Sequence, residues 1–101
     1  MIPIEFPFTL PKGLSIDGAL YQEGKIKLLT AKDELIVQEL ARRNSNIDLV
    51  FLLLAQAIAK LGNLTQVSPQ QLEQLFLIDF SYLQDLFSQL QPQNLAPSGE
   101  S

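Results

Sequence analysis

An α+β fold is what this sequence predicts, and three observations carry the prediction. A period-2 alternation opens the chain, glycine-bearing turns fold that part into a hairpin, and helical periods take over from residue 30 onwards. The expected architecture is an N-terminal β-hairpin over about 4–29, packed on a bundle of three to four helices at about 31–43, 47–61, 69–77 and 80–90. A disordered C-terminal tail is expected at 91–101, leaving a single α+β domain over 1–90. The length of 101 residues suits one domain, and 47% hydrophobic residues suffice for one core.

The first strand is read from Ile4, Phe6, Phe8 and Leu10 on one face against Glu5, Pro7, Thr9 and Pro11 on the other. Pro7 cannot donate to a ladder, which places this strand at a sheet edge. Lys12-Gly13 and Asp17-Gly18 are turn chemistry. A second strand is expected over about Ala19 to Leu29, with Gly24 as the candidate bulge. Two strands alone are marginal in water, so the hairpin requires helices over its apolar face.

Thr30 with Asp33 approximates a capping box for the helix at 31–43, and Arg42-Arg43 suit its C-terminal end. Asn46 is the expected N-cap of the next helix. There Ile47, Val50, Phe51, Leu54, Ala57, Ile58 and Leu61 fit the i, i+3, i+4, i+7 template. Leu49, Leu52 and Leu53 make the middle of this helix apolar all round, so it is expected to be the most buried, with Gly62 as its left-handed C-cap. Its uninterrupted apolar run, Leu49 to Ala55, is too short for the roughly 20 residues of a membrane span. Ser68-Pro69 starts the third helix, with Leu72, Leu75 and Phe76 apolar; Leu83, Leu86, Phe87 and Leu90 give the fourth its face. Whether a break separates these two the pattern does not decide.

The charges narrow the partners. All seven Lys and Arg lie at or before Lys60, and beyond it come only Glu73, Asp79, Asp85 and Glu100, for a net charge of −4. Clustered cations are what phosphate neutralisation requires, and Arg42-Arg43 is the one pair, so nucleic acid is not an expected partner. Cysteine is absent, which excludes disulfides and thiolate metal sites and suits a reducing compartment. With no visible signal peptide at Met1-Ile2-Pro3-Ile4-Glu5, a cytoplasmic protein is expected.

Histidine is absent as well, which removes the commonest general base and metal ligand. Asp33-Glu34 are adjacent acids at a helix start, where their dipole role outweighs a catalytic one. Asp79 stands between apolar faces and is read as an N-cap or kink residue before a catalytic one. The glycines are too scattered for a phosphate loop. No catalytic, cofactor or metal site is therefore expected, and binding of other proteins is the expected mode of action. Aromatic residues on a short helix are more often core than interface. Tyr and Phe also favour interfaces, which makes the last helices the candidate binding face.

The order of signals resembles the Mu-like phage tail assembly protein family. The likeness is carried by Phe8-Thr9-Leu10-Pro11-Lys12-Gly13, Asp17-Gly18 and Glu23-Gly24 in the hairpin, then by Thr30-Ala31-Lys32-Asp33-Glu34 and the Leu-rich stretch ending in Leu61-Gly62. It closes with Leu75-Phe76, Asp79 and Tyr82-Leu83-Gln84-Asp85-Leu86, so that it covers about Phe8 to Leu90. No single motif is specific; the series is. The sequence departs from the family pattern at Tyr21-Gln22-Glu23-Gly24, where a His often precedes an Arg-Glu-Gly turn, and at Lys27, where Arg is usual. The resemblance implies a tail assembly chaperone of contractile-tailed phages, prophages and related injection systems, acting on the tape-measure or tail tube protein, with no catalytic site. Phe76, Phe80, Tyr82, Leu83 and Phe87 are the candidate partner-binding residues, and homo-oligomerisation is a further candidate. The alternatives are a structural subunit retained in a contractile tail or baseplate, and an unrelated small protein-binding module.

Overall fold

The computed structural model of the chain describes residues 4–91. Along them run β1 (Glu5–Ile16), β2 (Ala19–Lys27), α1 (Ala31–Arg43), α2 (Leu49–Ala57), β3 (Ile58–Leu61), α3 (Pro69–Leu72) and α4 (Leu77–Leu90). The fold is α+β: one antiparallel sheet in the order β1-β2-β3, with α4 against β1, and α2 packed on α1, α3 and β3.

The hairpin closes through a two-residue turn in which both Asp17 (φ 51°) and Gly18 (φ 84°) are left-handed. That backbone twist matches the twist of the flanking strands. Phe8, Leu10, Leu14 and Ile26 from the hairpin enter the core, and Ile4 stays 56% exposed. β1 is an edge strand, as Pro7 requires. The ladder irregularities, however, are not centred on Gly24. One separates Thr9 from Leu14 in β1, and the other separates Lys25 from Ile26 where β2 meets β3. Gly24 itself pairs in register with Phe8 and Leu61. It is needed there for clearance, since a Cβ would lie 2.6 Å from the Phe8 ring and collide with the Lys60 carbonyl oxygen.

The third strand is the main departure from the sequence reading, which carried one helix over 47–61. The helix begins at Leu49 after Asp48 rather than after Asn46, and it ends at Ala57. Ile58 then turns extended (φ −73°, ψ 111°), and Ile58–Leu61 pairs with β2. A short apolar run fits a buried strand and a buried helix equally well by periodicity alone. Here the open edge of β2 decides, because pairing with it satisfies the main chain while keeping Ile58 and Leu61 5% and 1% exposed. Gly62 does take the left-handed conformation (φ 61°), but it follows a strand and caps no helix. Nor is this apolar helix buried on every side. Leu52 and Leu54 are buried, Leu53 is half-buried, and Leu49 is 53% exposed.

α1 begins as expected. Asp33 N–H donates to Thr30 Oγ1 (3.3 Å) and Thr30 N–H to Asp33 Oδ2 (2.8 Å), completing the capping box. Arg42 and Arg43 both engage Glu39 on the preceding turn. The Ser68 cap is also present, with Gln71 reciprocating, but α3 stops at Leu72 where 69–77 was expected. The break lies at Glu73 to Phe76, and α4 starts at Leu77, three residues ahead of the expected 80. Gln91, expected as the start of a disordered tail, instead caps α4 through Phe87 O and accepts from Leu29 N–H (2.6 Å). The rest of the expected tail lies outside the described residues. Among the described residues no helix is long and apolar enough to cross a membrane.

Candidate functional site

The residues that α4 brings to β1 define the best-built polar feature of the molecule. Asp79 sits in the first turn of α4 and is 0% exposed. Neither an N-cap nor a kink, it turns its carboxylate to the irregular stretch of β1. There Lys12 N–H donates to Oδ1 (2.8 Å) and Gly13 N–H to Oδ2 (3.1 Å). Gly13 carries a φ of 98°, which aims its N–H at the carboxylate. One turn on, the Tyr82 hydroxyl accepts from Thr9 N–H (3.2 Å). Thr9 and Glu23 face each other in the ladder while Glu23 O accepts from Gly62 N–H on the β3 side. By alternation the Thr9 and Pro7 nitrogens therefore point outward from the sheet. Pro7 and Pro11 have no donor, Tyr82 takes that of Thr9, and Asp79 takes those of Lys12 and Gly13. Both Asp79 oxygens are thus engaged out of reach of solvent, an arrangement that holds an edge strand.

The five candidate partner-binding residues divide. Leu83 is 1% exposed and belongs to the core. Phe80 stacks on Phe51 of α2 with ring centroids 5.1 Å apart, and Tyr82 and Phe87 are half-buried against the core. Phe76 alone is largely free, at 64% exposure. It is followed by Leu77 and Ile78, at 76% and 53%, which the sequence reading did not single out. A signal was present: Leu75-Phe76-Leu77-Ile78 is an unbroken apolar run across a helix boundary, more than one face of a helix start can bury. Leu20 of β2 is also exposed, at 61%. Its Cδ1 lies 2.9 Å from where a Cβ on Gly13 would stand, and Gly13 is bonded to Asp79, next to Ile78.

A second polar centre joins α1, α2 and β2. Asp33, 8% exposed, accepts from Thr30 N–H and Oγ1–H, and from Gln56 Nε2 (2.8 Å), with Lys27 Nζ at 3.7 Å. Burial pushes the Asp33 carboxyl up, but the donors of Thr30 and Gln56, with the Lys27 charge, outweigh it and hold the group below the usual carboxylate range. A folded-state pKa below the unfolded one stabilises the fold above the unfolded value, and that stability is lost as pH falls through the folded value. Urea unfolding between neutral pH and pH ~3 is therefore expected to show an acid-induced loss that is smaller in Asp33→Asn. An identical acid limb in the two proteins would refute the assignment. Gln56 and Lys27 also line an open cavity of about 750 Å³ beneath β3 and α3. No cluster of three or more metal-ligating side chains occurs among the described residues.

Comparison of the chain with protein-family models, with curated proteins and with solved structures yields no match.

Proposed function

We propose that this chain is a non-catalytic tail assembly chaperone of the phage type, which binds tail proteins, the tape measure first among them, in the cytoplasm while the particle is built. The observation that carries a binding role is the exposed apolar run Phe76-Leu77-Ile78 on an otherwise folded domain. Exposed apolar surface contiguous in this way marks an interaction site more often than an accident of composition. The order of hairpin, capped helix and Asp79-bearing helix supports the tail assignment through the family resemblance drawn from the same residues. The charge balance supports a protein partner over nucleic acid, because Arg42 and Arg43 are both engaged by Glu39 and no cation follows Lys60.

The test is a pulldown of the tagged chain from cells assembling particles, with the finished particles probed alongside. Tape-measure or tube protein in the pulldown, and none of the chain in finished particles, is the expected result. The chain at stoichiometric level in the particles would make it a structural subunit. Neither partner in the pulldown would refute the tail assignment in favour of an unrelated binding module.

A further inference from the structure

Lys25 and Lys60 stand directly opposite each other in the ladder between β2 and β3, and both are exposed on the outer face of the sheet. Like charges in that position repel and weaken the pairing. On its other side Lys25 faces Pro7, so neither neighbouring strand sets an acid opposite it. Lys27, two residues along, is treated differently: it faces Glu5 and pairs with Asp33. Among the described residues the ion pairs are those of Lys27, Arg42 and Arg43, and neither Lys25 nor Lys60 has one. Glu23, the one acid in β2, lies two residues before Lys25 and faces Thr9.

The two lysines also line one open cavity of about 290 Å³, together with Pro7, Thr9, Glu23 and Gly62. That is the small end of the range for ligand sites, roughly 300–1,000 Å³, and room for one or two side chains. Two cations against one acid leave the cavity positive, on a chain whose net charge is −4. Natural sequences break local rules of this kind chiefly at functional sites. Two lysines are too few to neutralise a run of nucleic-acid phosphates, which leaves carboxylates as the matching anions.

We infer that this face of the sheet takes an acidic stretch of a partner protein, whose Asp or Glu carboxylates reach between Lys25 and Lys60. The inference rests on the binding role proposed above. It adds a contact made by β2 and β3 to the one made by Phe76-Leu77-Ile78, and it gives the chemistry of what meets it. A carboxylate between the two ammonium groups relieves the repulsion that the ladder builds in. Complementary charge of this kind raises the association rate and selects against basic segments.

The test titrates the full chain at low salt, by calorimetry, with a synthetic peptide of alternating Glu and Ser and with its Gln and Lys twins. Attraction by overall charge alone would favour the Lys twin, because the chain is acidic. The Glu peptide is instead expected to bind at least about tenfold more tightly than the Gln twin, and more tightly than the Lys twin. Lys25→Gln and Lys60→Gln together are expected to weaken it about tenfold. Lys32→Gln, which removes an exposed cation from α1, is expected to leave it intact. Lys60→Glu is expected to abolish binding while raising the melting temperature by about 2–6 °C, since it sets opposite charges across the ladder. A variant that melts higher and no longer binds separates the site from the fold.

Equal affinity for the Glu and Gln peptides, or binding indifferent to the paired Gln changes, would overturn the inference. A Lys60→Glu chain that melts no higher would show that Glu23 already answers both cations, with the same consequence. So would inorganic phosphate bound as tightly as the Glu peptide, which would make this a site for free anions, or a dimer, seen by light scattering, that Lys60→Glu dissolves. A pulldown that holds tail proteins undiminished after the paired Gln changes leaves the chaperone reading standing and removes this contact. Lysine-dependent peptide binding with no tail protein in the pulldown keeps the contact and removes the tail assignment.

Discussion

Replacing Asp79 by alanine is expected to cost the fold about 3–5 kcal/mol, because it strands two main-chain donors that have charge-assisted partners in the native state. The carboxylate is 0% exposed, and its bonds to Lys12 and Gly13 N–H span more than sixty residues of chain. Water cannot replace it at Gly13 without opening the contact between α4 and β1. Against a total stability of about 5–15 kcal/mol for a domain of this kind, the loss is a large share of the whole. Asp79→Asn is expected to fall between the two, since an amide offers one oxygen acceptor and presents an N–H to the other donor. Urea unfolding at neutral pH measures both. A loss under about 1 kcal/mol in Asp79→Ala would mean the two N–H groups find other acceptors, and the carboxylate is not what holds α4 to the strand.

Leu54→Ala is the second large effect, at about 2–5 kcal/mol from lost transfer energy plus the cavity left behind. Leu54 is 1% exposed in the middle of α2, within the cluster that joins the hairpin to Ile58 and Leu61. Its neighbour Leu53 is half-buried, so Leu53→Ala is expected to cost no more than about half as much. The pair is informative together, since a helix apolar on all sides gives no reason from sequence to rank them. Equal losses in denaturant unfolding would show that α2 is rotated relative to its observed face.

The hairpin, the Thr30 capping box and the Ser68 start were legible because each is written in local chemistry: alternation, a reciprocal side-chain cap, proline at the first helical position. Ile58–Leu61 was not, because its conformation is set by a vacant edge on β2 and by the missing side chain of Gly24, neither of which helical spacing senses. Asp79 was noticed for standing between apolar faces, yet its role depends on donors in a strand far away in sequence. The candidate binding residues show the same limit. Phe76 is exposed and Leu83 is core, though both are apolar residues of one kind of pattern. Which of them solvent reaches follows from where the chain breaks between α3 and α4, and the sequence left that break undecided.

The treatment of β1 also says how the molecule can be recognised. Pro7, Thr9, Pro11, Lys12 and Gly13 offer no N–H outward, because proline lacks one and Tyr82 and Asp79 accept the rest. On the far side, β3 is four residues long and bridged at Leu61 to Leu64. A neighbouring chain that arrives as an extended strand therefore finds no main-chain donor along this stretch of β1 and only a short edge along β3. Contacts along this stretch fall mainly to side chains, which reward shape and polarity rather than backbone register. A domain so built resists being drafted, along this stretch, into the sheet of a neighbour.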